Sequence, residues 1–269
     1  MKRRNFLAAG VAASLAGPSR LHELVAAEQK GEDVKREYYE LRLYHQRRGP
    51  KVKLMDDYYR EVRLPAMKRA GFGPVGVFNV MIGPDSPTLY VLITYKSIED
   101  LIAANARLEA DAEYQKGAAS FTSLPATDPA YIRMESSLMV AFEGLPRLEV
   151  PAAAAGNKPR IFELRTYESH NKRANRKKIE MFDKGGEITI FRRTGLQPVF
   201  FGETLIGTRL PNLTYMLTYP DMATRDKNWA AFIADPEWKK LSSTPGYTDA
   251  EIVSNISNVF LRPTPYSEI

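Results

Sequence analysis

The chain has 269 residues, 44% of them hydrophobic, with 38 Lys and Arg against 32 Asp and Glu and no cysteine. The lack of thiols excludes disulfides, thiol catalysis and cysteine-ligated metal. With Lys2, Arg3, Arg4, Arg20 and Glu23 set aside, residues 28 onward carry 34 basic and 31 acidic side chains, and this net charge of +3 gives little support for nucleic acid as a partner.

Residues 1–27 begin MKRRNFLAAGVAASLAG, with a basic start, an apolar run from Phe6 to Gly17 and a small-residue exit at Val25-Ala26-Ala27. That is the layout of an export signal, too short for a confident membrane span. Arg3-Arg4-Asn5-Phe6-Leu7 fits the bacterial twin-arginine pattern, so periplasmic or extracellular delivery is expected. An uncleaved N-terminal anchor is the alternative; a lipoprotein anchor would need a cysteine. The mature chain is expected to hold no stable membrane span. A polar arm, residues 28–36, follows the signal.

EYYELRLYH (37–45) alternates as a strand. PKVKLMDDYYREV (50–62) places Leu54, Tyr58 and Val62 at fourfold spacing, which predicts an amphipathic helix interrupted at Pro65 and ended by Gly71. PVGVFNVMI (74–82) and TLYVLITY (88–95) read as strands joined by the turn-rich GPDSP. A second helix is expected to present Ile98, Leu101, Ile102, Asn105 and Leu108 on one face, and YIRMESSLMVAF (131–142) reads as a last strand. GLPRLEVPAAAAGNKP (144–159) has the composition of a linker.

The pattern then repeats. DAEYQK (111–116) returns as DPEWKK (235–240), 124 residues on, and Gly71, Pro74, Val75, Ile82 and Gly83 fall on Gly195, Pro198, Val199, Ile206 and Gly207 at that offset. Leu89, Thr94 and Tyr95 match Leu213, Thr218 and Tyr219, while Glu40-Leu41-Arg42 and Tyr44 match Glu163-Leu164-Arg165 and Tyr167 at an offset of 123. One residue has been gained between the blocks of a tandem duplication. The fold class is therefore α+β: two ferredoxin-like βαββαβ domains, 37–143 and 160–265, around the 144–159 linker. Each would leave one sheet face bare, and two such faces in one chain can close on each other as a barrel. In DPEWKK, Asp235 suits a helix N-cap, Pro236 the first helical position and Trp238 a packing role, as Tyr114 does in the first copy. The hexamer reads as architecture, not chemistry.

FELRTY, a Gly before PV, a tryptophan (Trp229) ahead of Asp235-Pro236-Glu237-Trp238 and a last strand leading to RPTPYS together resemble the NIPSNAP family. The likeness covers most of the mature chain and is stronger in the second copy. In the first, Asn105, Ala112 and Tyr114 stand where the pattern has Trp, Pro and Trp. The resemblance implies the dimeric α/β-barrel fold and no established reaction. Members with known roles are described mainly as interaction or vesicle-linked proteins, and superfamily relatives include cofactor-independent monooxygenases and dechlorinating enzymes. Fold analogy does not fix function.

Strand alternation supplies the best site candidates. Glu40, Arg42 and Tyr44 share one face of the first strand, and Glu163, Arg165 and Tyr167 repeat it. If the leucine faces pack on helices, these polar faces point into the space between sheets, as bracing ion pairs or as the lining of a polar ligand cavity. His45 and His170 end the two first strands; each is either a surface histidine or a general base at a cavity mouth. The basic run 172–178 (KRANRKK) reads as a solvated helix start, with anion binding as the alternative. No Walker loop, dinucleotide fingerprint, nucleophile elbow or His-Glu-x-x-His occurs, so no cofactor is expected. Two histidines with scattered carboxylates argue against zinc, so no metal is expected, with an oxygen-ligand site as the alternative. Two readings stand: an exported module that binds a small molecule or a protein partner, or a cofactor-independent enzyme, monooxygenase- or isomerase-like, acting on a small polar-aromatic metabolite. Homo-oligomer formation is compatible with either.

Overall fold

The computed structural model describes residues 35–269, so the expected export signal (1–27) and residues 28–34 of the expected polar arm lie outside the described residues. Copy one contributes strands β1 (Tyr38–His45), β2 (Val75–Ile82), β3 (Thr88–Tyr95) and β4 (Arg133–Ala141). Copy two contributes β5 (Ile161–Glu168), β6 (Gln197–Ile206), β7 (Asn212–Tyr219) and β8 (Asn255–Pro263). They close in the order β1-β3-β2-β8-β5-β7-β6-β4, with β2–β8 and β4–β6 as antiparallel seams between copies. Two ferredoxin-like halves thus form one eight-stranded barrel, closed without a free edge.

Helices cover the outside. Copy one carries α1 (Pro50–Tyr58), α2 (Leu64–Arg69), α3 (Ile98–Glu109) and α4 (Ala112–Thr122). Copy two carries α5 (Lys172–Asp183), α6 (Glu187–Arg193), α7 (Met222–Ala234), α8 (Pro236–Ser242) and the short α9 (Asp249–Ile252). Pro65 does not interrupt the first helix. A π-helical turn, Tyr59–Arg63, joins α1 to α2, and the Leu64 N–H reaches back to Tyr59 O. The widened turn accommodates a proline that has no N–H to give. The buried stripe is Met55, Tyr59 and Arg63, one residue on from the expected Leu54, Tyr58 and Val62, which are half-buried. On α3 the buried residues are Ala104 and Leu108; Asn105 is exposed and Ile102 is 72% exposed, against the expected face. The 144–159 segment is docked: Leu145 is buried and the Leu148 N–H donates to Glu37.

Asp111 caps α4 by accepting from Tyr114 N, and Asp235 caps α8 by accepting from Glu237 N and Trp238 N, with Pro236 in the first turn. Arg69 clamps Asp111 and Glu113, and its counterpart Arg193 clamps Asp235 and Glu237. The repeated hexamer thus fastens the helix restart to the end of α2 in copy one and of α6 in copy two.

The expected orientation of the strands is inverted. Tyr39, Leu41, Phe162 and Leu164 point into the barrel, where they cluster with Phe78, Leu92, Met139, Phe200, Met216 and Leu261. Glu40, Arg42, Tyr44, Glu163, Arg165 and Tyr167 lie on the opposite face, under the helices; Tyr44 packs with Met55 and Tyr59, and Tyr167 with Phe182 and Phe191. An eight-stranded barrel has just enough interior for its own side chains. All strands supply that interior, so apolar residues fill it, while the polar face finds partners on the helices.

Candidate functional site

Under the helices, each copy builds a carboxylate network on its first strand. Glu40 accepts from Arg42 (2.6 and 2.9 Å), Ser136 Oγ (2.8 Å) and Tyr95 OH (3.2 Å). Glu163 repeats this with Arg165 (2.7 Å), Asn258 Nδ2 (3.1 Å) and Tyr219 OH (3.3 Å). It gains Arg225 (3.0 and 2.9 Å) and Trp229 Nε1 (3.0 Å) from α7, where copy one has Leu101 and Asn105. Burial alone would raise the Glu163 carboxyl, but Arg225 and Arg165 outweigh it and hold the group at about 2. Both carboxylate oxygens are engaged. Trp229, sought as a packing residue, is a donor in this network, and its ring lies 4.6 Å from the Arg165 guanidinium carbon.

Copy two also buries an ion pair that sequence reading missed. Lys178, the last residue of the basic run, lies 3.5 Å from Glu187 Oε2 and 3.5 Å from Asp249 Oδ1, among the rings of Tyr167, Phe182 and Trp238. Full burial pushes Glu187 up to about 7, against the pull of Lys178. In copy one Arg63 stands where copy two has Glu187, and it donates to Tyr114 OH (2.8 Å). A lysine inside a basic run carries no sequence signal of burial.

The space between the sheets is filled at one barrel end, where Ile269 is buried and its carbonyl accepts from Arg160. At the other end, where β1 and β5 finish, a cavity of about 220 Å³ opens, lined by both copies. Leu41, Leu164, Met139 and Val259 are apolar lining. Copy two adds a hydroxyl wall: Thr166 and Thr214 share a hydrogen bond (2.9 Å), and Thr204 donates to Asn212 Oδ1 (2.6 Å). Copy one adds Leu43, Tyr90 and Pro84, with Glu135 at the rim. None of the six expected cavity residues lines it. A larger groove of about 320 Å³ beside α5, with Arg36, Arg176, Asp183 and Glu203, is shallow, open and of mixed charge.

His45 falls on the same face as Leu43 and is buried behind the rim residue Glu135 without lining the cavity itself, its Nε2 3.0 Å from Glu135 Oε1 and its Nδ1 3.3 Å from Arg133. His170 is exposed ahead of α5 and is not among the cavity-lining residues. Among the described residues, no group of three or more His, Asp or Glu is placed to hold a metal ion, and no helix is long and apolar enough to cross a membrane.

No curated protein matches the chain. Among solved structures, a NIPSNAP-like domain protein from Burkholderia xenovorans is 25% identical, over 39% of this chain and 85% of its own, with a TM-score of 0.35. Candidate monooxygenases from Fusobacterium nucleatum (TM-score 0.54) and Lactobacillus acidophilus (0.52) are each 8% identical over 85% of this chain, and over 92% and 94% of theirs. At that identity the likeness is one of fold, the barrel of two ferredoxin-like halves. The NIPSNAP sequence profile matches twice, over residues 39–143 and 162–268, once on each half of the barrel. The chain belongs to the NIPSNAP family.

Proposed function

We propose that the protein is an exported small-molecule-binding module whose ligand sits in the barrel mouth. The observation that carries this reading is the composition of that cavity: five polar side chains of copy two, Thr166, Thr204, Thr208, Thr214 and Asn212, stand over an apolar floor. Pockets for small molecules are concave and mostly apolar with a few placed polar groups, and at about 220 Å³ this one suits a metabolite smaller than a drug. The saturated Glu40 and Glu163 networks act as braces between sheet and helix, leaving those carboxylates little capacity for chemistry.

A thermal-shift screen of small polar metabolites on the purified protein tests the reading, because a binder of the native state raises the melting temperature. A hit whose effect vanishes in Thr214→Val supports it, and a broad screen without a hit argues against it. Enzymatic action is the second reading, favoured by the His45–Glu135 contact of 3.0 Å at the cavity rim. It requires product formation that His45→Gln abolishes. Export rests on the twin-arginine pattern. Replacing Arg3 and Arg4 together by lysine should retain the precursor in the cytoplasm; normal delivery of that variant would contradict the pathway.

A further inference from the structure

The duplication provides an internal control for the mouth. At matched positions, Leu43 faces Thr166, Val80 faces Thr204, Pro84 faces Thr208 and Tyr90 faces Thr214. Four apolar or aromatic residues of copy one are each a threonine in copy two, and the two sets line one cavity or pack at its edge. Packing alone sets no such preference for one wall. The divergence describes a ligand with an apolar face and a polar edge.

The charges at the rim are divided in the same sense. Copy one carries Asp85 and Glu135, both held by Arg133, with His45 3.0 Å from Glu135. Copy two has Arg209 where copy one has Asp85, and Ser257 where it has Glu135. Arg209 lines the cavity, and its guanidinium donates to Ser257 Oγ, a second lining residue, at 3.2 Å. Glu168, the other acid near this wall, accepts from Asn255. Asp85 and Arg209 both sit at positive φ, 53° and 60°. Aspartate tolerates that left-handed conformation through its short polar side chain; arginine gains nothing from it. The hairpin turn takes this conformation in both copies, so Arg209 occupies a position that arginine itself does not favour.

Resting on the reading of the mouth as a ligand site, we infer that its ligand is a small carboxylic acid with an apolar or aromatic body. The carboxylate lies between Arg209 and the threonine wall, and the body lies against Leu43 and Tyr90. Guanidinium and carboxylate match in charge and in donor geometry, and charge-assisted hydrogen bonds are the stronger kind.

Benzoate and its neutral isostere benzamide are the probes, titrated into the purified protein by calorimetry. Benzoate should bind roughly tenfold or more tightly than benzamide, and Arg209→Met should bring the two to parity. Arg209 is exposed on a hairpin, so this variant should keep the parent melting temperature. Thr214→Val, which swaps a hydroxyl for a methyl inside the wall, should weaken benzoate without removing its advantage over benzamide. Equal affinity for the two probes, no benzoate binding, or benzoate binding untouched by both substitutions would overturn the inference. A neutral screening hit that Thr214→Val weakens would leave the mouth as a ligand site while rejecting acids as its ligands.

Discussion

Glu163 and Glu187 are both buried carboxyls of copy two, yet their surroundings move them in opposite directions. Glu163 is drawn down to about 2 by Arg225 and Arg165, so it stabilises the fold above its unfolded value of about 4.5, and that contribution is lost as pH falls toward 2. Glu187 is raised to about 7, so between about 4.5 and 7 the folded chain holds a proton that the unfolded chain has released. Stability therefore falls as pH rises through that window, by up to about 3 kcal/mol. Urea unfolding at stepped pH should show this decline, and Glu187→Gln should flatten it; an unchanged slope in the variant would assign the decline to other groups. Arg165→Met should cost roughly 1–3 kcal/mol, below the 3–5 kcal/mol of stripping a buried ion of its partner, since Arg225, Trp229, Tyr219 and Asn258 still serve Glu163. Combining it with Arg225→Met should exceed the sum of the single losses, as expected within one network. Strict additivity in the same unfolding series would separate the two arginines energetically.

Helix restarts follow the duplicated hexamer closely. Asp235→Ala removes acceptors for two backbone N–H groups and a partner of Arg193, so a loss of about 1–2 kcal/mol is expected in chemical denaturation. A loss below about 0.3 kcal/mol would mean that α8 is held by packing alone. These caps were legible because side-chain type and helix position are linked through orphan N–H groups. Strand order and hairpins were legible for a similar local reason. Which strand face looks inward was not: both faces of β1 and β5 are largely buried, and alternation separates faces without saying which layer each meets. Pro65 misled because a π turn can absorb a missing donor, and nothing in YREVR announces that turn. The threonine wall was readable only by laying one copy on the other at Leu43/Thr166 and Tyr90/Thr214, a comparison of differences rather than matches.

At the scale of the molecule, the barrel exists because neither half can bury its inner face alone. Copy two expressed without copy one should dimerise through that face or aggregate, as sedimentation would show; a cooperative, well-folded monomer would contradict the closed architecture. The family relationship and the fold agree, and the site within the fold rests on the asymmetry of one cavity. That asymmetry can be erased with residues the chain already uses. Thr166→Leu with Thr214→Tyr gives two of the four diverged positions of the copy-two wall the side chains of copy one and fills the mouth. The decisive measurement is the rise in melting temperature that a screening hit produces, compared between the parent and this double variant. Loss of that rise, in a variant that still melts cooperatively, is the outcome predicted for a ligand in the barrel mouth; an equal rise in both proteins would place the ligand elsewhere.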